Sequence, residues 1–289
     1  MEVGTIMVAG AGLMGRGIAE VAACRGFKVI WSDVKSDLVR QGLSEIQQSF
    51  QRRVQKKKIT PADHDRLLGL LQANVSVADG IERASEADMV IEAITENFQL
   101  KCDLHASLGK TCGPQTILVS NTSTFSITAL GASSGRPDRF IGLHFFSPVP
   151  VMQVVEVIRG LLTSEQTCQA ALAVVAKMGK EPVLAPDIPG FIVNRILLAW
   201  YNEAISLVAA GVKPQDIDRG WKLATNAVMG PLETADFSGL HVVLQALDSV
   251  YQATGDAKFK ANPLLRNMVQ AGMLGRKSGR GFYDYSKKQ

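Results

Sequence analysis

Cysteine is scarce in this chain of 289 residues: there are four, Cys24, Cys102, Cys112 and Cys168. No two form a C-x-x-C pair and no histidine cluster lies beside them. That excludes the usual zinc spacings and a disulfide framework, so no metal is expected and the thiols are read as buried groups in a reducing compartment. Long apolar runs are also missing. No stretch reaches the ~18 consecutive apolar residues of a membrane helix, and the best candidate, 196–212, is interrupted by Asn202 and Glu203. A dense Lys/Arg stripe is missing too. With 31 basic against 27 acidic side chains the net charge is only +4, a balance that suits small anionic ligands better than a nucleic-acid surface. Neither nucleic acid nor a membrane is expected as a partner. A first strand expected from Thr5 leaves no room for a signal or transit peptide, so a cytoplasmic location is expected and the formal acceptor Asn121-Thr122-Ser123 is set aside.

What is present is the make-up of an ordinary globular protein, 46% hydrophobic and 20% charged, long enough for one large domain or two smaller ones. TIMVA (5–9), KVIWS (28–32), DMVIEA (88–93), TILVS (116–120) and FIGLHF (140–145) are continuous apolar, β-branched runs separated by amphipathic helical patterns. That alternation predicts a parallel sheet covered on both faces. One helix is predicted from Ser36 to about Lys58, because Leu38, Leu43, Ile46, Phe50 and Val54 recur at helical spacing. Its end carries Arg52, Arg53, Lys56, Lys57 and Lys58, either a solvated face or a basic lip for a phosphate-bearing substrate. Thr60-Pro61 reads as the cap and first residue of the next helix. Beyond Asp187-Ile188-Pro189-Gly190 the periodicity is helical throughout: 191–211, 214–226, 240–254 and 263–272. A boundary is therefore placed near 187, giving domains 1–186 and 187–289.

Residues 10–15, GAGLMG, follow the first strand and open a helix. In a G-x-G-x-x-G turn, Gly10 permits the tight bend, Gly12 admits the backbone to a pyrophosphate, and Gly15 lets helix and strand approach. The helix N-terminus turns free N–H groups and a positive dipole toward the phosphates. The second strand ends at Asp33, an acid placed to accept hydrogen bonds from ribose hydroxyls and to repel a 2′-phosphate. The fold class is thus α/β: a Rossmann-type dinucleotide-binding domain, followed by an all-helical C-terminal domain. The acid favours NAD over NADP as the expected cofactor, with Gly10, Gly12, Leu13, Met14, Gly15 and Asp33 as expected contacts.

Ligands of such folds lie across the carboxyl ends of the strands. DMVIEA runs there into Ile94-Thr95-Glu96-Asn97, and TILVS into Ser120-Asn121-Thr122-Ser123-Thr124, a cluster of small hydrogen-bonding side chains that reads as a ligand loop, with Asn121 as a cofactor contact. His144 stands at the end of FIGLHF on the same edge, in apolar surroundings that favour a neutral imidazole. Past a Pro148-Val149-Pro150 turn, QVVEV returns with Glu156. A histidine and a carboxylate so placed can act as a general base and the group that orients it. His64, His105 and His241 are read as structural or surface residues.

Taken in order, GAGLMG, ENFQLK (96–101), SNTST (120–124), HFFSPVPVMQVVEV (144–157) and DIPGFIVNR (187–195) resemble the 3-hydroxyacyl-CoA dehydrogenase family, including its bacterial 3-hydroxybutyryl-CoA branch. The carboxyl-terminal GRKSGRGFYDY (275–285) extends the resemblance almost end to end. It implies reversible oxidation of a (3S)-3-hydroxyacyl-CoA by NAD. His144 corresponds to the base and Glu156 to its orienting acid. Ser123 and Asn194 correspond to residues that bind the substrate oxygen, and Glu96 and Lys101 to positions near the cofactor and the acyl-CoA entrance. An acyl-CoA is the implied substrate, and a helical face over 191–208 with few charges is expected to be part buried in a homodimer. Trp31 and Ser32 depart from the family's aliphatic strand, and GPLETADFSGLHV (230–242) resembles the family's GP-F-E-L-x-D segment with Leu232 and Thr234 in place of more usual residues. Two rivals share the scaffold: a dehydrogenase of a non-CoA 3-hydroxy acid, of sugar-acid or carnitine type, and a non-enzymatic NAD-binding protein.

Overall fold

The computed structural model describes residues 2–73 and 81–286. The chain divides into two compact units, 1–187 and 188–289. In the first, β1 (Thr5–Ala9), β2 (Lys28–Ser32), β3 (Leu71–Ala73), β4 (Met89–Glu92), β5 (Ile117–Ser120), β6 (Phe140–Phe145), β7 (Val154–Arg159) and β8 (Glu181–Pro186) form one sheet in the order β3-β2-β1-β4-β5-β6-β7-β8. The first six are parallel, β7 turns antiparallel to β6, and β8 is parallel to β7. Between β1 and β4 the order in which strands are added reverses, and this is the switch point at which doubly wound sheets bind their ligands. β1, β2, β4, β5 and β6 are buried almost throughout, as continuous Val, Ile and Leu runs require when helices cover both faces.

Helices α1 (Leu13–Cys24), α2 (Ser36–Gln55), α3 (Pro61–Gly69), α4 (Phe98–Thr111), α5 (Ile127–Ser133) and α6 (Glu165–Lys177) complete the unit. α2 lies along α1: Arg16 pairs with Glu45, Ser49 donates to Glu20, and Arg53 Nη1 sits 2.9 Å from Cys24 Sγ. The α2 pattern was expected to run to Lys58, but the helix stops at Gln55. Lys57 takes a left-handed φ of 54° and the chain turns. Thr60 then caps α3 by accepting the Asp63 N–H, while Asp63 accepts the Thr60 N–H in return. Asp187 closes the unit, its carboxylate accepting from the backbone N–H groups of Ile127 and Thr128 at the start of α5.

The second unit holds α7 (Val193–Ala209), α8 (Pro214–Thr225), α9 (Pro231–Ser238), α10 (Leu240–Thr254) and α11 (Pro263–Gln270) around Leu198, Ile205, Leu232, Leu247, Phe259 and Leu265. Helix α9 carries no expectation from periodicity. It is held by Asp218 of α8, whose carboxylate accepts from the Leu232 and Glu233 N–H groups. The carboxyl-terminal segment straps onto the bundle. Buried Asp236 accepts from the N–H groups of Phe282 and Tyr283 and the hydroxyl of Tyr285, and Tyr283 donates its hydroxyl to Asp218. This explains GRGFYDY as a structural motif. No helix among the described residues is long and apolar enough to cross a membrane.

Candidate active site

The carboxyl ends of the parallel strands gather the glycine turn after β1, Asp33 after β2, residues 93–97 after β4, 120–124 after β5, and His144 near the end of β6. The three glycines of the turn serve different needs. Gly10 has φ +116°, and a Cβ there would meet Ala93 O at 2.5 Å; a Cβ on Gly15 would lie 1.9 Å from Gly10 O. Both are glycine because the fold has no room for anything else. Gly12 differs: φ is −66°, and a Cβ would meet nothing within 4 Å. It is the N-cap of α1, yet supplies no side-chain cap, where Ser, Thr or Asp would stabilise the helix. The empty space above it and the uncapped N–H groups form a cradle that suits a pyrophosphate. Leu13 and Met14 begin α1 immediately beyond.

Beside the cradle lies a cavity of about 490 Å³, lined by Gly10, Gly12, Asp33, Val34, Leu104 and Ser107 among others. Its size and its acidic wall suit an adenosine. Asp33 is fixed by accepting the Ala11 N–H at 2.7 Å and the Lys35 N–H at 3.0 Å. Trp31, which departs from the family's aliphatic strand, does not line this cavity. Fully buried, it stacks over Gly42 of α2 and donates its indole N–H to Gly10 O at 3.0 Å, anchoring the glycine turn.

At the other side, the antiparallel register of β6 and β7 sets His144 directly opposite Glu156. Directly opposed residues project to the same face, and His144 Nδ1 lies 2.7 Å from Glu156 Oε2. Glu156 is fully buried and His144 nearly so, with the Phe146 ring 4.4 Å from the imidazole. An ionised carboxylate only accepts, so the contact assigns the proton to Nδ1 and makes Nε2 the basic nitrogen. Asn121 accepts the Phe145 N–H at 2.9 Å and so steadies the end of the histidine strand.

Ser123 sits in the β5 loop, held by its own N–H donating to Glu96 Oε1 at 3.1 Å. The same oxygen accepts from the Thr122 and Thr124 hydroxyls. Lys101 is buried, with Nζ 3.2 Å from Glu96 Oε2 and 2.5 Å from Glu92 Oε1. The structure thus ties Glu96, Lys101 and Ser123 into one group, and pairs His144 with Glu156. Asn194 stands in the first turn of α7, in the second unit. Reading by motif missed Glu92, and it marked Trp31 only as a departure, without its bond to the glycine turn. Glu92 hides inside a buried strand, and its only signal was a charged residue ending an otherwise apolar run. His105, read as structural or surface, is fully buried against Phe140; His241 is exposed. Among the described residues no cluster could hold a metal ion.

A family model described as "3-hydroxyacyl-CoA dehydrogenase, NAD binding domain" matches residues 5–188, and a second, "3-hydroxyacyl-CoA dehydrogenase, C-terminal domain", matches 190–285. A probable 3-hydroxybutyryl-CoA dehydrogenase of Bacillus subtilis is 47% identical, over all of this chain and 99% of that one. A 3-hydroxybutyryl-CoA dehydrogenase of Bradyrhizobium diazoefficiens is 43% identical, over 96% of this chain and 94% of the other. Among solved structures, the (S)-3-hydroxybutyryl-CoA dehydrogenase PaaH1 from Ralstonia eutropha superposes with a TM-score of 0.94 at 42% identity, over 99% of this chain and all of that one. A cradle and an adenosine-sized cavity on the ligand edge of a doubly wound sheet therefore meet a likeness that runs the whole length of both domains, and the chain belongs to the 3-hydroxyacyl-CoA dehydrogenase family.

Proposed function

We propose that this protein catalyses the reversible NAD-dependent oxidation of a (3S)-3-hydroxyacyl-CoA to the 3-ketoacyl-CoA. The observation that carries this reading is the His144–Glu156 pair, 2.7 Å apart and buried at the same sheet edge as the glycine cradle. NAD, when bound, accepts the hydride that leaves C3. His144 Nε2 takes the proton of the 3-hydroxyl, so the alcohol loses a hydride and a proton and becomes a ketone. Glu156 stabilises the imidazolium that results. Ser123 and Asn194 bind the 3-oxygen and align C3 with the cofactor. Gly10, Gly12, Leu13, Met14 and Gly15 hold the pyrophosphate end. Asp33 binds the adenine ribose, while Glu96, Lys101 and Asn121 shape the nicotinamide side. The exposed Arg52, Lys56, Lys57 and Lys58 suit the phosphates of coenzyme A. Arg53 is drawn instead onto Cys24.

The second unit leaves Ile196, Leu207, Trp221, Leu223 and Val228 exposed, large apolar side chains that burial against a second copy would take out of water. A homodimer through that unit is part of the proposal, and sedimentation velocity tests it: a single species at the monomer mass would remove it.

The deciding assay follows NADH oxidation with acetoacetyl-CoA, beside NADPH and beside free acetoacetate. Rapid turnover with NADH and the thioester alone is expected. Turnover restricted to free 3-oxo acids would replace this reading with a non-CoA 3-hydroxy acid dehydrogenase. Tight NADH binding without turnover on either would replace it with a binding protein.

A further inference from the structure

Beneath the two loops of the nicotinamide side lies a fully buried carboxylate that the proposed chemistry does not use. Glu92 is the last residue of β4, flanked in register by Ala9 of β1 and Ser120 of β5. It therefore sits in the centre of the sheet, just below the ligand edge. Its Oε1 accepts the Ile94 N–H at 2.8 Å and the Lys101 ammonium at 2.5 Å; its Oε2 accepts the Ser120 hydroxyl at 2.6 Å. His105 Nε2 lies 3.5 Å from Oε2 without a formed hydrogen bond. Burial alone would push this carboxyl up, but the His105 imidazole and the Lys101 ammonium hold it down at about 2. Glu92 is thus a charged acceptor at physiological pH, and it is the nearer of the two carboxylates that hold the buried Lys101 ammonium.

The chain of contacts runs upward from there. Lys101 bridges Glu92 and Glu96. Glu96 in turn accepts the Ser123 N–H and the hydroxyls of Thr122 and Thr124. Glu92 also grips the root of the same loop through Ser120. Both ends of the segment 120–124 are therefore referred to one buried carboxylate, from below through Ser120 and from the side through Lys101 and Glu96.

We infer that Glu92 is a positioning residue: its charge fixes Lys101 and Glu96, and through them sets the place of Ser123 against the substrate oxygen. The inference rests on the reading of Ser123 given above. It gives the fold a reason to bury an acid in mid-sheet. A neutral residue of the same shape would leave the Lys101 ammonium with Glu96 alone, and Glu96 would be pulled down from the loop it holds.

The test is Glu92→Gln, which keeps the shape and removes the charge, with Ser120→Ala as a milder second variant should the first fail to fold. Two readouts are taken. Amide hydrogen exchange at Ser123 needs no substrate. It is expected to quicken about tenfold or more as the tie to Glu96 loosens, while amides inside β6 keep their rates. Turnover of acetoacetyl-CoA by Glu92→Gln is expected to fall about tenfold or more in kcat, as for a displaced catalytic group. In a Ser123→Ala background the same change is expected to cost less than threefold, because the loss acts through Ser123. Unchanged exchange at Ser123, or losses that multiply in the double variant, would overturn the inference. A wild-type protein that turns over no thioester would instead sink the proposed function, and the exchange measurement would still decide the role of Glu92.

Discussion

Gly12 and Gly15 stand three residues apart in one turn, and the structure assigns them opposite reasons for being glycine. Replace each with alanine in turn. At Gly15 the new Cβ would sit 1.9 Å from Gly10 O, well over an ångström inside contact distance. Gly10 O cannot simply retreat, because Trp31 holds it from β2 at 3.0 Å. The expected cost is about 3 kcal/mol, the upper part of the range for overpacking a tight site. Loss of NADH binding should follow, because the whole turn shifts. At Gly12 the Cβ meets nothing within 4 Å and φ is already −66°. The free protein should therefore keep its stability, or gain a few tenths of a kcal/mol from a less flexible unfolded chain. The methyl group would nevertheless stand in the space assigned to the pyrophosphate, so NADH should bind about tenfold more weakly or worse. Urea unfolding measures the first quantity and NADH fluorescence titration the second. Wild-type NADH affinity in Gly12→Ala would refute the placement of the cofactor. Wild-type stability in Gly15→Ala would refute the packing argument.

His144→Gln is expected to lose at least ~100-fold in kcat at unchanged NADH affinity, and Glu156→Gln about tenfold or more, since it leaves the imidazole unsupported; kcat within threefold of wild type for His144→Gln would remove the base assignment. Glu92, ordinarily near 4.5 and held at about 2 here, binds its proton less readily folded than unfolded. Its stabilisation is thus complete above the ordinary value and lost as pH falls toward 2, about 3 kcal/mol in all. Urea midpoints of wild type and Glu92→Gln should draw together between pH 5 and pH 2, roughly the span of that titration, and a constant gap would contradict it. In the second unit a Cβ on Gly281 would lie 2.0 Å from Asp236 Oδ1. Gly281→Ala should lift the carboxyl-terminal strap off its carboxylate at a cost of about 3 kcal/mol, seen as a lower melting temperature and faster tryptic cleavage after Arg280.

Local patterning made much of the first unit legible. β1 and β2 begin and end where the apolar runs do, because Gly10 follows the first run and Asp33 the second. The approach of His144 to Glu156 was legible for a similar reason: a proline turn between two apolar runs returns the chain on itself. What stayed hidden depends on partners far away in sequence. β3 is three residues long and has no pattern of its own. Helix α9 is held by Asp218, and the strap by Asp236 across 46 and 47 residues, and no window of sequence contains both ends of such bonds. Lys56–Lys58 left the helix because Lys57 adopts a left-handed turn, which a basic run does not announce. Glu92 was invisible because its role is written in Lys101 and Ser120, which meet it only once the sheet has formed.

Strand β8 has a consequence at the sheet's end. Glu181 donates its N–H inward, to Gln153 O, and alternate residues point opposite ways along a strand. Positions 182, 184 and 186 therefore face outward, and two of the three are prolines, Pro182 and Pro186, with no N–H to give. An incoming strand would find a single donor, that of Leu184, along six residues of edge. The border of the sheet is chemically terminated, although Leu184 and Val183 leave apolar surface beside it. Neighbouring molecules cannot zip onto this edge as a continuing ladder. An eight-stranded sheet is in this way protected from polymerising through its β8 edge, at the cost of two residues that weaken that strand's own propensity to form.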